Sequence, residues 1–549
     1  MSVEEGVRLS NPGEEDENDT GHDARSLHSV SVSSVSQGTS YIGKPQEPDT
    51  VSLLIENLIN NSNESHVWLL TLVLALGNAA DAIEIMCIGF IMTEIPNITT
   101  QQKEYLSAAV FLGMLFGGII CGSLSDYVGR RPCLLYSLGL NALAGYASAC
   151  APDVTALIAC RVIGGLGIGG SVPVVFSLGA EMFPSPVRGK LLSVLGSFWM
   201  VGAIFTASFA WIMLGSDFSG QKIMPNTGWR SFAAVCATPA MITFFLTLLC
   251  TTESPRFLVG KKKYSEAAAA LQFMTNVPVR PFDLMRKRDQ EAEEGEEGWE
   301  GGKGTREGLF VTASNSTVVF LFSPALLKTT IVLLVIWFTL CFGSYGISTW
   351  ISELFVDVGV SNAFEDAFIF ALANLPGNII SIMYVETVGR RSLLAYGMAI
   401  AAMAAFGFAI DTKHKETVVF FAALFNAFST VGWNSLDCLS VESFPTKVRT
   451  SAMGILAAAG RLGAIAAQFV NGQLEENVPM LLFVTSVCMV VGGASSWLLD
   501  NDNTGTALVE EFVSDEPGNI RRDRIQGYAS VKAGSGHTTH NPLSEADEF

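Results

Sequence analysis

Apolar residues run through this chain in blocks, and polar residues fall mostly between them. Twelve blocks, at about 66–92, 105–127, 133–151, 154–182, 189–214, 229–250, 328–355, 365–385, 392–410, 417–443, 451–471 and 478–499, each approach the ~20 residues that a helix needs to cross a bilayer. The pattern therefore predicts an all-α membrane protein with twelve transmembrane helices. The polar remainder sets off an N-terminal tail (1–65), a first group of six helices (66–250), a linker (251–327), a second group of six (328–500) and a C-terminal tail (501–549). The linker contains Glu291-Ala-Glu-Glu-Gly-Glu-Glu-Gly, a run too polar to bury a core.

Basic residues give the chain a direction. Arg130 and Arg131, Arg188 and Lys190, Arg256 with Lys261, Lys262 and Lys263, Arg390 and Arg391, and Lys447 and Arg449 all fall in alternate loops. The remaining loops are poorer in charge, apart from Lys103, Lys222 and the turn from Lys413 to Lys415. Because Lys and Arg favour the cytoplasmic side, both termini and the linker are expected there, as an even number of spans requires. Among the N-x-S/T sequons only Asn97 then falls in an outer loop, which makes it a possible glycosylation site. Asn60 and Asn63 are expected on the cytoplasmic side and unmodified.

The chain also repeats itself. Ser125-Asp-Tyr-Val-Gly-Arg-Arg returns as Val385-Glu-Thr-Val-Gly-Arg-Arg, 260 residues on. Glu181-Met-Phe-Pro-Ser-Pro-Val-Arg returns as Glu442-Ser-Phe-Pro-Thr-Lys-Val-Arg at an offset of 261. Two motifs at nearly one offset imply two pseudo-symmetric six-helix bundles. Bundles related in this way hold a solute at their interface, near the bilayer midplane, and rock against each other.

Composition agrees with this reading and narrows the function. The mean hydropathy is +0.38 and 15% of residues are charged, against roughly 25% in soluble proteins. The net charge of −19 belongs almost wholly to residues 1–50, 283–307 and 500–549, so it says little about substrate. No basic region precedes a short apolar run at the N-terminus, and no cleaved signal peptide is expected. The ten cysteines form no C-x-x-C pair, so neither metal nor disulfides are expected, only small packing residues. No nucleophile–base constellation or phosphate loop suggests an enzyme or a cofactor. The acidic polar segments do not suggest nucleic acid, and a monomer in the lipid bilayer is expected.

Gly122-Ser-Leu-Ser-Asp126-Tyr-Val-Gly129-Arg130-Arg131 resembles the loop between the second and third helices of major facilitator transporters. Arg161-Val-Ile-Gly-Gly-Leu-Gly-Ile-Gly169 resembles that superfamily's fourth-helix pattern. Glu253-Ser-Pro-Arg-Phe-Leu and Trp229-Arg230 look like sugar-porter signatures around the sixth helix. Asp81-Ala-Ile-Glu84-Ile-Met-Cys-Ile-Gly-Phe and Gly169-Gly-Ser-Val-Pro173 look most like the synaptic-vesicle-protein-related branch. The resemblance covers about 66–500 and departs from sugar porters at Cys341-Phe-Gly-Ser-Tyr-Gly-Ile-Ser-Thr-Trp, which lacks the paired glutamines that bind sugar there. It implies the major facilitator fold and secondary transport of a small organic solute (sugar, organic ion or related metabolite) by rocker-switch alternating access, with protons as the coupling ion. The alternatives are a proton-independent facilitator or exchanger of organic ions, and a non-transporting membrane sensor or vesicle component. Plasma membrane and endomembrane are equally open.

Charges inside spanning helices are costly and ask for a reason. Asp81 and Glu84 share one face of the first span, three residues apart. Glu84 lies ~12 Å from the outer end of its helix and Arg161 ~9 Å from the outer end of the fourth, so the depths allow a pair. Asp81, Glu84 and Arg161 are thus candidates for proton coupling; the alternatives are a fixed structural ion pair or direct contact with a cationic substrate. Arg461, mid-span in the eleventh helix, can hold an anionic group of the substrate or pair with a carboxylate such as Asp437.

Tyr345, Asn374, Asn378, Trp433 and Asn434, with Trp199 a weaker case, lie in helices that line the site in relatives; ordinary packing is the alternative for each. The motif residues Gly122, Asp126, Gly129, Arg130, Arg131, Glu181, Arg188, Glu386, Gly389, Arg390, Glu442 and Arg449 are candidates for gating, although simple topology accounts for some of the arginines. Gly122 and Gly129 are expected to admit close backbones. By resemblance Asp126 is expected against the N-terminus of the eleventh helix, and Glu181/Arg188 and Glu442/Arg449 as inner salt bridges. Asp49-Thr-Val-Ser-Leu53-Leu54 reads either as an acidic dileucine signal or as the start of a short interfacial helix marked by Leu53, Leu54 and Leu58.

Overall fold

The computed structural model describes residues 50–499 except 217–221, 226, 282–283, 286–320, 325, 360–361, 386, 411–413 and 445. The acidic run, residues 1–49 of the N-terminal tail, the C-terminal tail and Glu386 lie outside the described residues. Sixteen helices account for nearly all that is described, and Ser216 and Lys222 form one isolated bridge. They are α1 (Thr50–Asn60), α2 (Glu64–Glu94), α3 (Thr100–Val128), α4 (Arg130–Ala149), α5 (Val154–Met182), α6 (Arg188–Leu214), α7 (Trp229–Cys250), α8 (Pro255–Gly260), α9 (Tyr264–Thr275), α10 (Leu327–Asp357), α11 (Ala363–Leu372), α12 (Asn374–Tyr384), α13 (Arg390–Ile410), α14 (Lys415–Glu442), α15 (Thr446–Gln473) and α16 (Val478–Ser496).

The twelve spans are α2 to α7, α10, the pair α11–α12, and α13 to α16. Eleven of them are both long and apolar enough to cross a membrane. The twelfth, α4, has the length, 20 residues, but carries Arg130, Arg131, Ser137, Asn141 and Ser148. The eighth span is split where the sequence pattern implies a continuous helix. Pro376 lacks an N–H and crowds the carbonyl four residues back, at Leu372, so the helix re-forms beyond Ala373.

Small residues let the helices of the first bundle meet closely. A Cβ on Gly113 or Gly165 would strike the backbone of the facing helix, so α3 and α5 pack almost backbone to backbone. Between the bundles, α2 meets α10, α3 meets α15, and α6 meets α11. The last two contacts join the second span to the eleventh and the fifth to the eighth, and the internal repeat exchanges them.

These meetings gather at the end of the bundle remote from the basic loops. There Gly89 abuts the Thr349 carbonyl, Phe90 stacks on Phe364 with centroids 6.2 Å apart, and Trp211 stacks on Phe368 at 5.5 Å. At the basic end a Cβ on Gly122 would meet nothing within 4 Å, and the Asp126 side chain is 68% exposed. The bundles are shut at one end and parted at the other.

Candidate functional site

Between the bundles lies a cavity of about 260 Å³. All six substrate candidates, Tyr345, Asn374, Asn378, Trp433, Asn434 and Arg461, line it, as does Trp199. Its aromatic side is a set of rings packed edge to face: Trp433 meets Tyr345 at 5.8 Å and Trp337 at 5.7 Å. Trp433 Nε1 donates to Ser344 Oγ at 3.0 Å, which fixes the indole in the cavity wall.

The amide side comes from the broken span. Asn434 Nδ2 donates to Asn378 Oδ1 at 3.0 Å, Asn378 Nδ2 to the Asn374 carbonyl at 3.0 Å, and Thr430 Oγ1 to Asn374 Oδ1 at 2.7 Å. Arg461 Nη1 donates to the Tyr345 hydroxyl at 3.3 Å, and the guanidinium stands 5.6 Å from the centre of that ring. Asp437 lines the same cavity one turn beyond Trp433. From the sequence it is a candidate partner for Arg461; its spacing of three and four from Asn434 and Trp433 is the signal that it shares their face. Among the described residues the walls thus offer aromatic rings, amides, one guanidinium and one carboxyl group.

The acids of α2 turn the other way. Arg161 Nη1 donates to Glu84 Oε2 at 2.5 Å, with both side chains 4% exposed. Cys87 Sγ completes the group, 3.4 Å from the same nitrogen. Asp81 is fully buried and accepts from Asn141 Nδ2 at 3.2 Å and from the Ser171 hydroxyl. Glu84 Oε1, Asn141 Oδ1 and Arg161 Nη2 are buried without a hydrogen-bond partner. These residues pack among α2, α4 and α5 and are not among the residues that line the cavity. Helix α2 presents Asn78, Met86 and Phe90 to the cavity instead.

At the basic end the repeated motifs make repeated contacts. Arg130 Nε lies 3.2 Å from Glu181 Oε1, and its second-half counterpart Arg390 Nε lies 2.9 Å from Glu442 Oε1. Arg188 Nε donates to the Phe183 carbonyl and Arg449 Nε to the Phe444 carbonyl, each at 3.3 Å. The expected Glu181/Arg188 pair is therefore not formed. Glu181 takes Arg130, and Arg188 Nη2 reaches Glu56 Oε1 at 2.9 Å. Likewise Glu442 pairs with Arg390.

Asp126 pairs with Arg130 at 3.2 Å within its own bundle, and its exposed side chain fits bundles that are parted at this end. The same parting leaves Gly122 without the close neighbour expected for it. Gly129 does have one. Its φ of 115° is closed to other residues, and Glu253 fills the space beside it. Glu253 accepts from the backbone N–H of Arg130 at 3.0 Å and of Arg131 at 3.2 Å, so it caps α4 with a carboxylate where the helix dipole favours one. Burial pushes that carboxyl up, and the N–H donors pull against it. Gly389 repeats the positive φ, at 88°.

Helix α1 lies against the first bundle at this end. Val51, Ile55 and Ile59 are its buried stripe, whereas Leu53 is exposed, so the apolar face is rotated from the one marked by Leu53, Leu54 and Leu58. Glu56 receives Arg188, Arg256 and the Ser185 hydroxyl, and Asn60 Oδ1 accepts from Ser185 N at 2.8 Å. Asn97, with φ of 57°, is exposed in the turn between α2 and α3 at the opposite end.

Residues 59–499 match the family of sugar (and other) transporters. The chain is 26% identical to synaptic vesicle glycoprotein 2A of Rattus norvegicus over 72% of each chain, and 25% identical to synaptic vesicle glycoprotein 2C of Homo sapiens over 80% of this chain and 79% of that one. Its fold is similar to the inward-open xylose transporter XylE from E. coli, with a TM-score of 0.62 and 21% identity over 80% of this chain and 98% of that one. The proton:xylose symporter XylE bound to 6-bromo-6-deoxy-D-glucose gives 0.60 and 19% over 81% and 98%.

Proposed function

The chain belongs to the sugar (and other) transporter family, and from that membership we propose that it is a proton-coupled secondary transporter of a small organic solute. The observation that carries this reading is the division of labour on α2. One face of that helix gives Asn78, Met86 and Phe90 to the cavity, and another gives Asp81 and Glu84 to the interior of the first bundle. A helix that leans on a solute on one side and on buried carboxylates on the other couples the two, because any shift on loading changes the desolvation and the arginine distance that govern proton affinity.

In this reading Asp81 and Glu84 carry or control the proton, and Arg161 returns to Glu84 when the proton leaves. Tyr345, Trp433, Asn374, Asn378 and Asn434 hold the solute, with Arg461 and Asp437 selecting its charge. The basic end faces the cytoplasm, with both termini there, and the present state is inward-open. Asp126, Arg130, Glu181 and their second-half counterparts Arg390 and Glu442 reorganise when that end closes.

The deciding experiment is uptake by the purified full chain in proteoliposomes, with and without an inward pH gradient, across sugars, carboxylates, organic cations and phosphate. Accumulation of one class that collapses with the gradient supports the proposal. A second reading, a proton-independent exchanger, draws on the closeness of Glu84 and Arg161, which suits a permanent ion pair; gradient-insensitive exchange supports it instead.

A further inference from the structure

One charged group on the shut side of the cavity belongs to neither the proton site nor the solute site. Lys103, near the start of α3, extends its ammonium to Glu353 Oε1 near the end of α10 and to Glu475 Oε1 just after α15. The lysine belongs to the first bundle and both carboxylates to the second, so the cluster spans the interface at the end where the bundles meet. It is deeply set: the Lys103 and Glu353 side chains are 11% and 10% exposed. Around it stand the inter-bundle contacts that shut this end, with Tyr105 edge-on to Phe469 at 6.0 Å and Phe90 stacked on Phe364. Position 103 is remote in sequence from 353 and 475, and only the closing of the bundles brings the lysine to the two carboxylates.

We propose that Lys103, Glu353 and Glu475 form the latch that holds the two bundles together at the end remote from the basic loops, and that its release opens the cavity to that side. Opening requires both carboxylates to leave the lysine, since they travel with the other bundle. In the shut state the three charges are largely shielded from water and depend on one another. In the open state water enters between the bundles and solvates each of them, so release is not prohibitive and the element has two stable arrangements. Removing the lysine takes away the attraction that crosses the interface and leaves two carboxylates of the second bundle buried without a counter-charge, which favours the open, hydrated arrangement. The buried, unpartnered Oε2 atoms of Glu353 and Glu475 show that the lysine is not surrounded by spare donors that can stand in for it.

The inference rests on the alternating-access reading, but its test needs no substrate, so its failure is separable from a failure of proton-coupled uptake. Labels are placed on the full chain at the exposed positions Asn97, in the first bundle, and Glu416, at the start of α14 in the second. Inter-label distances are then read by pulsed electron paramagnetic resonance. Lys103→Glu is expected to raise the long-distance population several-fold, and the charge exchange Lys103→Glu with Glu353→Lys to return it to the parental value. The milder Lys103→Gln carries the same test if the reversal does not fold. An unchanged distribution in folded Lys103→Glu or Lys103→Gln, or an exchange variant no closer to the parent than the single reversal, overturns the latch.

Discussion

Arg161 Nη1 stands 2.5 Å from Glu84 Oε2, whereas Asp81, one turn earlier on the same helix, is held by the neutral donors Asn141 and Ser171. The two acids of one motif thus have different work. Glu84→Gln leaves Arg161 buried without its counter-charge, and is expected to abolish accumulation driven by a pH gradient while sparing solute exchange. Asp81→Asn keeps the hydrogen-bonding shape, so the protein is expected to fold and bind solute. Uptake and exchange assays on both variants check this, and unaltered pH dependence in well-folded Glu84→Gln removes Glu84 from the coupling mechanism.

Arg461 and Asp437 line the same cavity, one with a guanidinium and one with a carboxyl group. A hydrogen bond to a charged group contributes ~1.5–3 kcal/mol, so Arg461→Ala is expected to weaken binding of an anionic solute by ~10- to 100-fold and to leave a neutral one within a few-fold. Asp437→Asn is expected to do the same for a cationic solute. Equilibrium binding to the purified variants measures both, and anion affinity that survives Arg461→Ala assigns the arginine to packing against Tyr345.

Much of this architecture is legible in the chain because its causes are local or repeated. Span lengths give the helices, and the two offset motifs give not only the bundles but matching contacts, Arg188 to Phe183 and Arg449 to Phe444. The Glu84–Arg161 pair follows from counting the rise along two antiparallel helices. Three features did not follow. The partner of Asp126 depends on which end of the bundle is open, and one sequence encodes both states. Lys103 reads as a stray loop charge in the sequence because its partners are 250 and 372 residues away. The capping of α4 by Glu253 needed the path of the chain beyond α7, which hydropathy does not report.

Gly129 and Gly122 belong to one motif but differ in what they tolerate. With φ of 115° and ψ of 159°, Gly129 sits in a region essentially reserved for glycine, and Glu253 occupies the place of a Cβ. Gly129→Ala is expected to cost ~1–3 kcal/mol from the backbone alone and to loosen the Glu253 cap on α4. Gly122 is helical with open space beside it, so Gly122→Ala is expected to be neutral or mildly stabilising in this state. Thermal unfolding of the detergent-solubilised variants separates the two. Equal losses at both positions contradict the assignment.

The attachment of α1 turns on Glu56. The Ser185 hydroxyl, followed by the guanidiniums of Arg188 and Arg256, holds its carboxyl down at about 2, from an ordinary 4.5, against the opposing effect of burial. A lowered carboxyl stabilises the docked form fully above its ordinary value and loses that contribution only as pH falls from 4.5 toward about 2. Docking of α1 is therefore expected to be constant across the physiological range and to weaken only in strong acid. Glu56→Gln removes the charge at every pH and strands Arg188 and Arg256 together, so the helix is expected to detach at neutral pH while its apolar stripe, Val51, Ile55 and Ile59, loses its cover. Hydrogen exchange over residues 50–60 reads this out. Protection that is the same in the parent and in Glu56→Gln assigns the docking to the apolar stripe instead of the carboxylate.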